Sequence, residues 1–250
     1  MNIIIGMIAF VSEYLDSGLG MGYGTVLAPI LIILGYEPLR VVPAILISQL
    51  FTDVAACVFH HNLYNVDLRP GSKDFKAALI LGTVSSVGAI ISVIIASKVP
   101  KRVLALYIGL LVLVMGILVL ATVKRNFKFS WRKIIAVSFL ASFNKGMSGG
   151  GYGPLVMGGQ ILSGVNVKSA VGITAFAEAM TCLVGFACYV MIGRALDWRL
   201  IWMLVIWAGI AVPFAALTVK IVRMEKLKGY AGFLMMLLGL LTVLKITAGG

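Results

Sequence analysis

Charge is what this sequence has least of: only 12% of its 250 residues are Asp, Glu, Lys or Arg. Soluble domains carry roughly 25%, so a water-soluble globular fold is excluded on composition. Histidine occurs twice and cysteine three times, and neither recurs at metal-ligand spacing. With no HExxH and no nucleophile–base arrangement, an enzyme is disfavoured and neither cofactor nor metal is expected. Cys57, Cys182 and Cys188 fall in apolar stretches, where cysteine serves as a small core residue. A basic start and an A-x-A-like cleavage site are also missing, so Met1–Val11 reads as a first helix rather than a signal peptide. There is no long linker, low-complexity tail or soluble interaction domain on which a scaffold role could rest.

Apolar residues fill the chain: 61% are hydrophobic and the mean hydropathy is +1.06. Ten apolar segments run near 2–16, 22–35, 40–60, 75–96, 102–123, 132–144, 151–163, 168–191, 199–219 and 227–247. Six are long enough to cross a hydrocarbon core of ~30 Å at ~1.5 Å per residue. The other four, at roughly 13–15 residues, reach only ~20 Å and read as half-helices. The net charge of +12 lies in short loops, where it sets membrane topology rather than marking a nucleic-acid surface.

Each pair of half-helices flanks a glycine cluster. The first reads Asp16-Ser17-Gly18-Leu19-Gly20-Met21-Gly22-Tyr23-Gly24, followed by Thr25. The second reads Lys145-Gly146-Met147-Ser148-Gly149-Gly150-Gly151-Tyr152-Gly153. A shift of 129 residues places Gly20, Gly22, Tyr23, Gly24 and Gly35 on Gly149, Gly151, Tyr152, Gly153 and Gly164, and Asp16 on Lys145. Helices broken at matching places in two halves are the best sequence pointer to a transporter's substrate site. The expected fold is therefore an all-α polytopic membrane protein of two inverted repeats, each a glycine-broken half-helix hairpin plus three transmembrane helices. Repeat 1 is 1–125, with its hairpin at 2–35; repeat 2 is 126–250, with its hairpin at 132–163.

Loop charge distinguishes hairpins from single interrupted spans. With hairpins, one side gathers Arg69, Lys73, Lys76, Lys124, Arg125, Lys128, Arg132, Lys133, Lys168, Lys220, Arg223, Lys226 and Lys228. The other keeps only Arg40, Lys98, Lys101, Arg102, Arg194, Arg199 and Lys245. Single spans would divide the same residues almost evenly and specify no orientation. The positive-inside rule thus favours hairpins, with both termini outside the cell.

Irregular backbone survives at membrane depth only where protein or a water-filled cavity satisfies it. The free N–H groups of Gly22–Thr25 and Gly151–Gly153, at the positive ends of new half-helices, would favour an anion, with Tyr23 and Tyr152 offering hydroxyls. The competing reading is close helix packing, whose small-xxx-small spacing Gly20–Gly24 and Gly146–Gly150 also match. The charges expected inside the membrane are Glu13, Asp16, Asp53, Lys145 and Glu178. Lys145 is suited either to neutralise an oxyanion or to pair with Asp16 or Glu178. Asp16, Asp53 and Glu178, with Gln49 in the register of Glu178, would balance charge or carry a coupled proton. Glu13 reads as reaching the interface, and His60 and His61 as interfacial. Asn144, Ser148, Ser48, Thr174 and Gln160 would line a polar path or join helices.

These motifs resemble the TauE/SafE-like sulfite exporters, also called the four-toluene sulfonate uptake permease family. The resemblance spans essentially the whole chain and rests on Gly20–Gly35 and Gly149–Gly164, each followed by a helix (Val41–Thr52 and Ala170–Thr181). It implies an integral protein of the bacterial inner membrane that moves sulfite, sulfonates or other small anions, as a transporter or as an uncoupled channel. Partners then comprise the lipid bilayer, a small-molecule anion and protons, with a homodimer left open. Met21 and Tyr23 interleave the first cluster's glycines, Pro29 sits later than Pro154, and Asp16 opposes Lys145 in sign; these departures bear on which anion is carried.

Overall fold

The computed structural model describes residues 2–122, 131–221 and 225–248, and within them the chain is helical with no strand. The helices are α1 (Asn2–Leu19), α2 (Tyr23–Ile33), α3 (Pro38–Asn62), α4 (Lys73–Lys98), α5 (Lys101–Thr122), α6 (Trp131–Ser148), α7 (Tyr152–Leu162), α8 (Val167–Met191), α9 (Trp198–Ile221) and α10 (Glu225–Ala248). Each apolar segment of the sequence corresponds to one of them. Lys124, Arg125, Lys128 and Arg223 of the loop-charge argument lie outside the described residues, as does the 125/126 boundary.

Local chemistry sets the helix starts. Pro38 opens α3, where its missing N–H has no intrahelical partner to lose. The Oγ of Ser72 accepts the Phe75 N–H at 3.0 Å at the head of α4, and the Asn166 side chain accepts the Lys168 N–H at 2.9 Å at the head of α8. By contrast, α2 and α7 start at Gly22 and Gly151 with no side-chain cap. Those glycines have φ of +143° and +81°, and Gly20 and Gly149 have +66° and +75°, values that L side chains avoid.

The structure differs from the sequence reading at the breaks. Helices α1 and α6 are 18 residues each, longer than the half-helices read from the sequence. The Gly20 N–H bonds the Asp16 carbonyl and the Gly149 N–H bonds the Lys145 carbonyl, both at 2.7 Å, which carries the helical ladder to the first glycine. Asp16 and Lys145 therefore sit in final helical turns rather than in the breaks.

Among the described residues, five helices (α3, α4, α5, α8 and α9) are long and apolar enough to cross a membrane. The sixth expected span, α10, opens with Glu225, Lys226 and Lys228, and its apolar part is the shorter Gly232–Ala248. Trp202, Ile206, Ile210 and Phe214, four residues apart on α9, are each at least 50% exposed. A continuous apolar stripe of this kind faces lipid, not water.

Glycine contacts give the helix directions. A Cβ on Gly116 would lie 2.8 Å from the Gly232 carbonyl, and one on Gly239 would lie 2.8 Å from that of Gly109. Helices α5 and α10 thus run antiparallel along a glycine seam. Leu46 against Gly185 and Gln49 against Glu178 make α3 and α8 antiparallel as well. Three other pairs run in the same direction: α1 with α9 (Gly6 on Trp207, Tyr14 bonded to Thr218), α4 with α6 (Ser85 on Ser138, Ser92 on Gly146) and α4 with α8 (Gly82 on Met180, Ala89 on Gly185).

Between α2 and α3, Glu37 accepts a 2.7 Å hydrogen bond from Lys101, which with the nearby Arg40 holds its carboxyl below the usual carboxylate range. Exposed pairs of this type add little stability. Lys101→Met should raise the Glu37 titration midpoint in carboxyl-carbon NMR and leave the unfolding temperature unchanged.

Candidate substrate site

The α1–α2 break lies directly on the α6–α7 break. A Cβ on Gly24 would overlap the Gly149 carbonyl oxygen, and one on Gly153 would overlap the Gly20 carbonyl oxygen. A Cβ on Gly150 would lie 2.6 Å from the Thr25 nitrogen. Gly20, Gly22, Tyr23, Gly24, Thr25, Ser148, Gly149, Gly150, Gly151, Tyr152 and Gly153 are all buried at this crossing. Gly24, Gly150 and Gly153 are thus required for close backbone approach, one of the two roles the glycine spacing allowed.

The hydroxyls of both tyrosines are engaged. Tyr23 bonds Ser48 on α3 at 2.6 Å, and Tyr152 bonds Ser85 on α4 at 2.8 Å. Ser148 donates to the Asn144 carbonyl at 2.8 Å and accepts the Gly150 N–H at 3.1 Å, pinning the second break. Asn144 accepts from Tyr107 at 2.6 Å, and Gln160 donates to Thr174 at 2.8 Å. The expected polar-path residues are therefore joined within the bundle.

Behind the crossing lies an ionic network. Lys145 is 1% exposed, and its Nζ donates to Glu178 Oε1 at 2.6 Å and to Gln49 Oε1. Gln49 Nε2 donates to Glu178 Oε1 at 2.9 Å and to Asp16 Oδ2 at 2.7 Å. The other oxygen of Asp16 accepts the Tyr23 N–H at 3.2 Å, so a carboxylate already faces the positive end of α2. Of the two partners open to Lys145, Glu178 is the direct one, and Asp16 is linked through Gln49. Gln49 and Glu178, matched by the 129-residue shift, touch each other.

Two residues read as interfacial are buried instead. Glu13 is fully buried and accepts from Ser17 at 2.6 Å and from Thr52 at 3.0 Å. His60 is also fully buried, with Nε2 at 2.9 Å from the Ser17 carbonyl and Nδ1 at 3.0 Å from Asn65. The Asn65 amide in turn donates to the Ala216 carbonyl of α9 at 3.2 Å, so α9 covers the His60 face at the end of α3.

Asp53 is 3% exposed, and its Oδ2 has no hydrogen-bond partner among the described residues. One oxygen each from Asp16, Asp53 and Glu178 lie within 4.8 Å of one another. No spacing rule joins positions 16, 53 and 178, so this convergence was invisible in the sequence. The network gathers four acidic side chains (Glu13, Asp16, Asp53 and Glu178) and one lysine in the protein interior.

A bundle that shows apolar stripes outward and keeps its acids and a lysine in its interior is a multi-pass membrane protein. Residues 4–245 match the family described as sulfite exporter TauE/SafE, and the chain belongs to that family of membrane transporters. It is 27% identical over 234 residues to the "Probable membrane transporter protein YtnM" of Bacillus subtilis (strain 168), a match covering 87% of this chain and 74% of that protein. No solved structure matches it.

Proposed function

We propose that this protein is a secondary transporter of a small sulfur-containing anion, such as sulfite or a sulfonate, working in the cell membrane by alternating access. The observation that carries this reading is a fully buried lysine, Lys145, in the final turn of α6 beside the meeting point of two broken helices. The anion would replace Glu178 as the partner of Lys145, against the backbone of Gly22–Thr25 and Gly151–Gly153. Because acidic groups outnumber the lysine, a proton or cation entering with the anion would balance its charge.

The helix directions support two inverted repeats. Helices α3 and α8, and α5 and α10, correspond under the 129-residue shift and run antiparallel. Helix α6 runs parallel to α4, and α4 parallel to α8, so α7 must double back between α6 and α8 as a hairpin does. Rocking of one repeat against the other would expose the central site alternately, with both termini outside.

The test is radiolabelled flux in proteoliposomes, comparing sulfite, a sulfonate, thiosulfate, sulfate and a small carboxylate with and without an imposed cation gradient. Saturable uphill flux of a sulfur oxyanion is the expected result. Downhill flux alone would indicate a facilitator, and flux of none of them would rule out the sulfur-anion reading.

A further inference from the structure

We propose that Asp16, Asp53 and Glu178 form a binding site for a small monovalent metal cation, with Na+ as its probe. The argument starts from geometry. Hard cations sit about 2.3–2.6 Å from their oxygen ligands, so oxygens around one ion stand no more than about 5 Å apart. The three carboxylate oxygens meet that limit, lying within 4.8 Å of one another. A proton bridges two oxygens, whereas three converging from three different helices match the coordination of a metal ion.

Hydrogen bonding singles out Asp53. Asp16 accepts from the Tyr23 N–H and Gln49, and Glu178 accepts from Gln49 and Lys145. Each of these carboxylates has donors that stabilise its charge. The buried Oδ2 of Asp53 has none among the described residues, and an unpartnered buried carboxylate oxygen is costly unless a proton or a cation completes it.

The register between the halves adds an independent argument. Under the 129-residue shift, Asp16, Asp53 and Glu178 correspond to Lys145, Cys182 and Gln49. The second half therefore supplies a fixed ammonium, Lys145, where the first half places the carboxylate of Asp16, and Asp53 faces the register of an uncharged cysteine. Discontinuous helices in secondary transporters bring coupling ions to such helix ends, and Asp16 lies in the last turn of α1, where the helix dipole favours a cation. Na+ serves as the probe because the Lys145 ammonium, 2.6 Å from Glu178 Oε1, already offsets part of the carboxylate charge.

A role for this ion in driving transport rests on the anion reading above; its binding does not. The test is the unfolding midpoint of the detergent-purified full chain as Na+ replaces choline at constant ionic strength and pH. Na+ should raise the midpoint saturably by roughly 3 °C or more, with K+ weaker and choline without effect. Asp53→Asn, which keeps the shape and removes the charge, should need at least about tenfold more Na+. No Na+-selective shift in the wild-type protein overturns the proposal whether or not the variant folds. An undiminished shift in Asp53→Asn, or a midpoint that follows pH and ignores Na+, overturns it as well. Because this readout needs no anion, a failed flux assay and a failed Na+ titration remain distinguishable.

Discussion

Lys145→Met is expected to lower anion flux by about a hundredfold or more and to destabilise the protein as well. The lysine is buried, bonded to Glu178 and Gln49, and among the described residues is the only cation in a network of four carboxylates. Removing one partner of a buried ion pair typically costs about 3–5 kcal/mol, because the remaining charge is left uncompensated. The single variant therefore cannot separate binding from folding. Lys145→Met combined with Glu178→Gln removes both charges at similar volume, so most of the lost stability should return. Flux should not, because the cation that faces the anion is still missing. Unfolding midpoint and proteoliposome flux, measured on all three proteins, decide the matter. A double variant that is stable and transports normally would make Lys145 purely structural.

Gly24→Ala and Gly153→Ala should give little monodisperse protein or a markedly lower unfolding temperature. At each position the added methyl would meet an opposing carbonyl oxygen, Gly149 for the first and Gly20 for the second. A clash with the end of a flexible side chain is relieved by a rotamer change, but here both partners are main chain. Overpacking ordinarily costs about 1–3 kcal/mol, and two backbones forced apart at the centre of the bundle should reach or exceed the top of that range. Gly158→Ala provides the contrast. It lies in α7, where an added methyl group would find nothing within 4 Å, so alanine there should be neutral or stabilising by up to about 1 kcal/mol. Equal stability of Gly24→Ala and wild type would mean that the two breaks do not touch.

Much of the architecture was legible in the sequence because it depends on local signals. Apolar run length located the helices, glycine placed the two breaks, and the 129-residue shift paired Gln49 with Glu178, which proved to be in contact. What could not be read was which side of each helix faces inward. In a soluble helix the polar face announces the surface, but lipid tails and a protein core are equally apolar. On α3, Leu46 is buried while Phe51 and Val54 are exposed, and nothing in their chemistry separates them. For the same reason Glu13 and His60 looked interfacial, and the Tyr23–Ser48 and Tyr152–Ser85 bonds were not foreseen. The convergence of Asp16, Asp53 and Glu178 depends on how three helices cross, which periodicity along one chain does not encode.

The contact between Gln49 and Glu178 bears on how such a centre can be built at all. Under the two-repeat reading proposed above, Gln49 touches its own counterpart, Glu178, 2.9 Å away. Glutamate on both sides would set like charges against each other, and glutamine on both would leave the ammonium of Lys145 without its carboxylate. The two positions must therefore differ. Under the two-repeat reading, two identical half-length chains could not present glutamine against glutamate here, so the centre needs two unequal sequences.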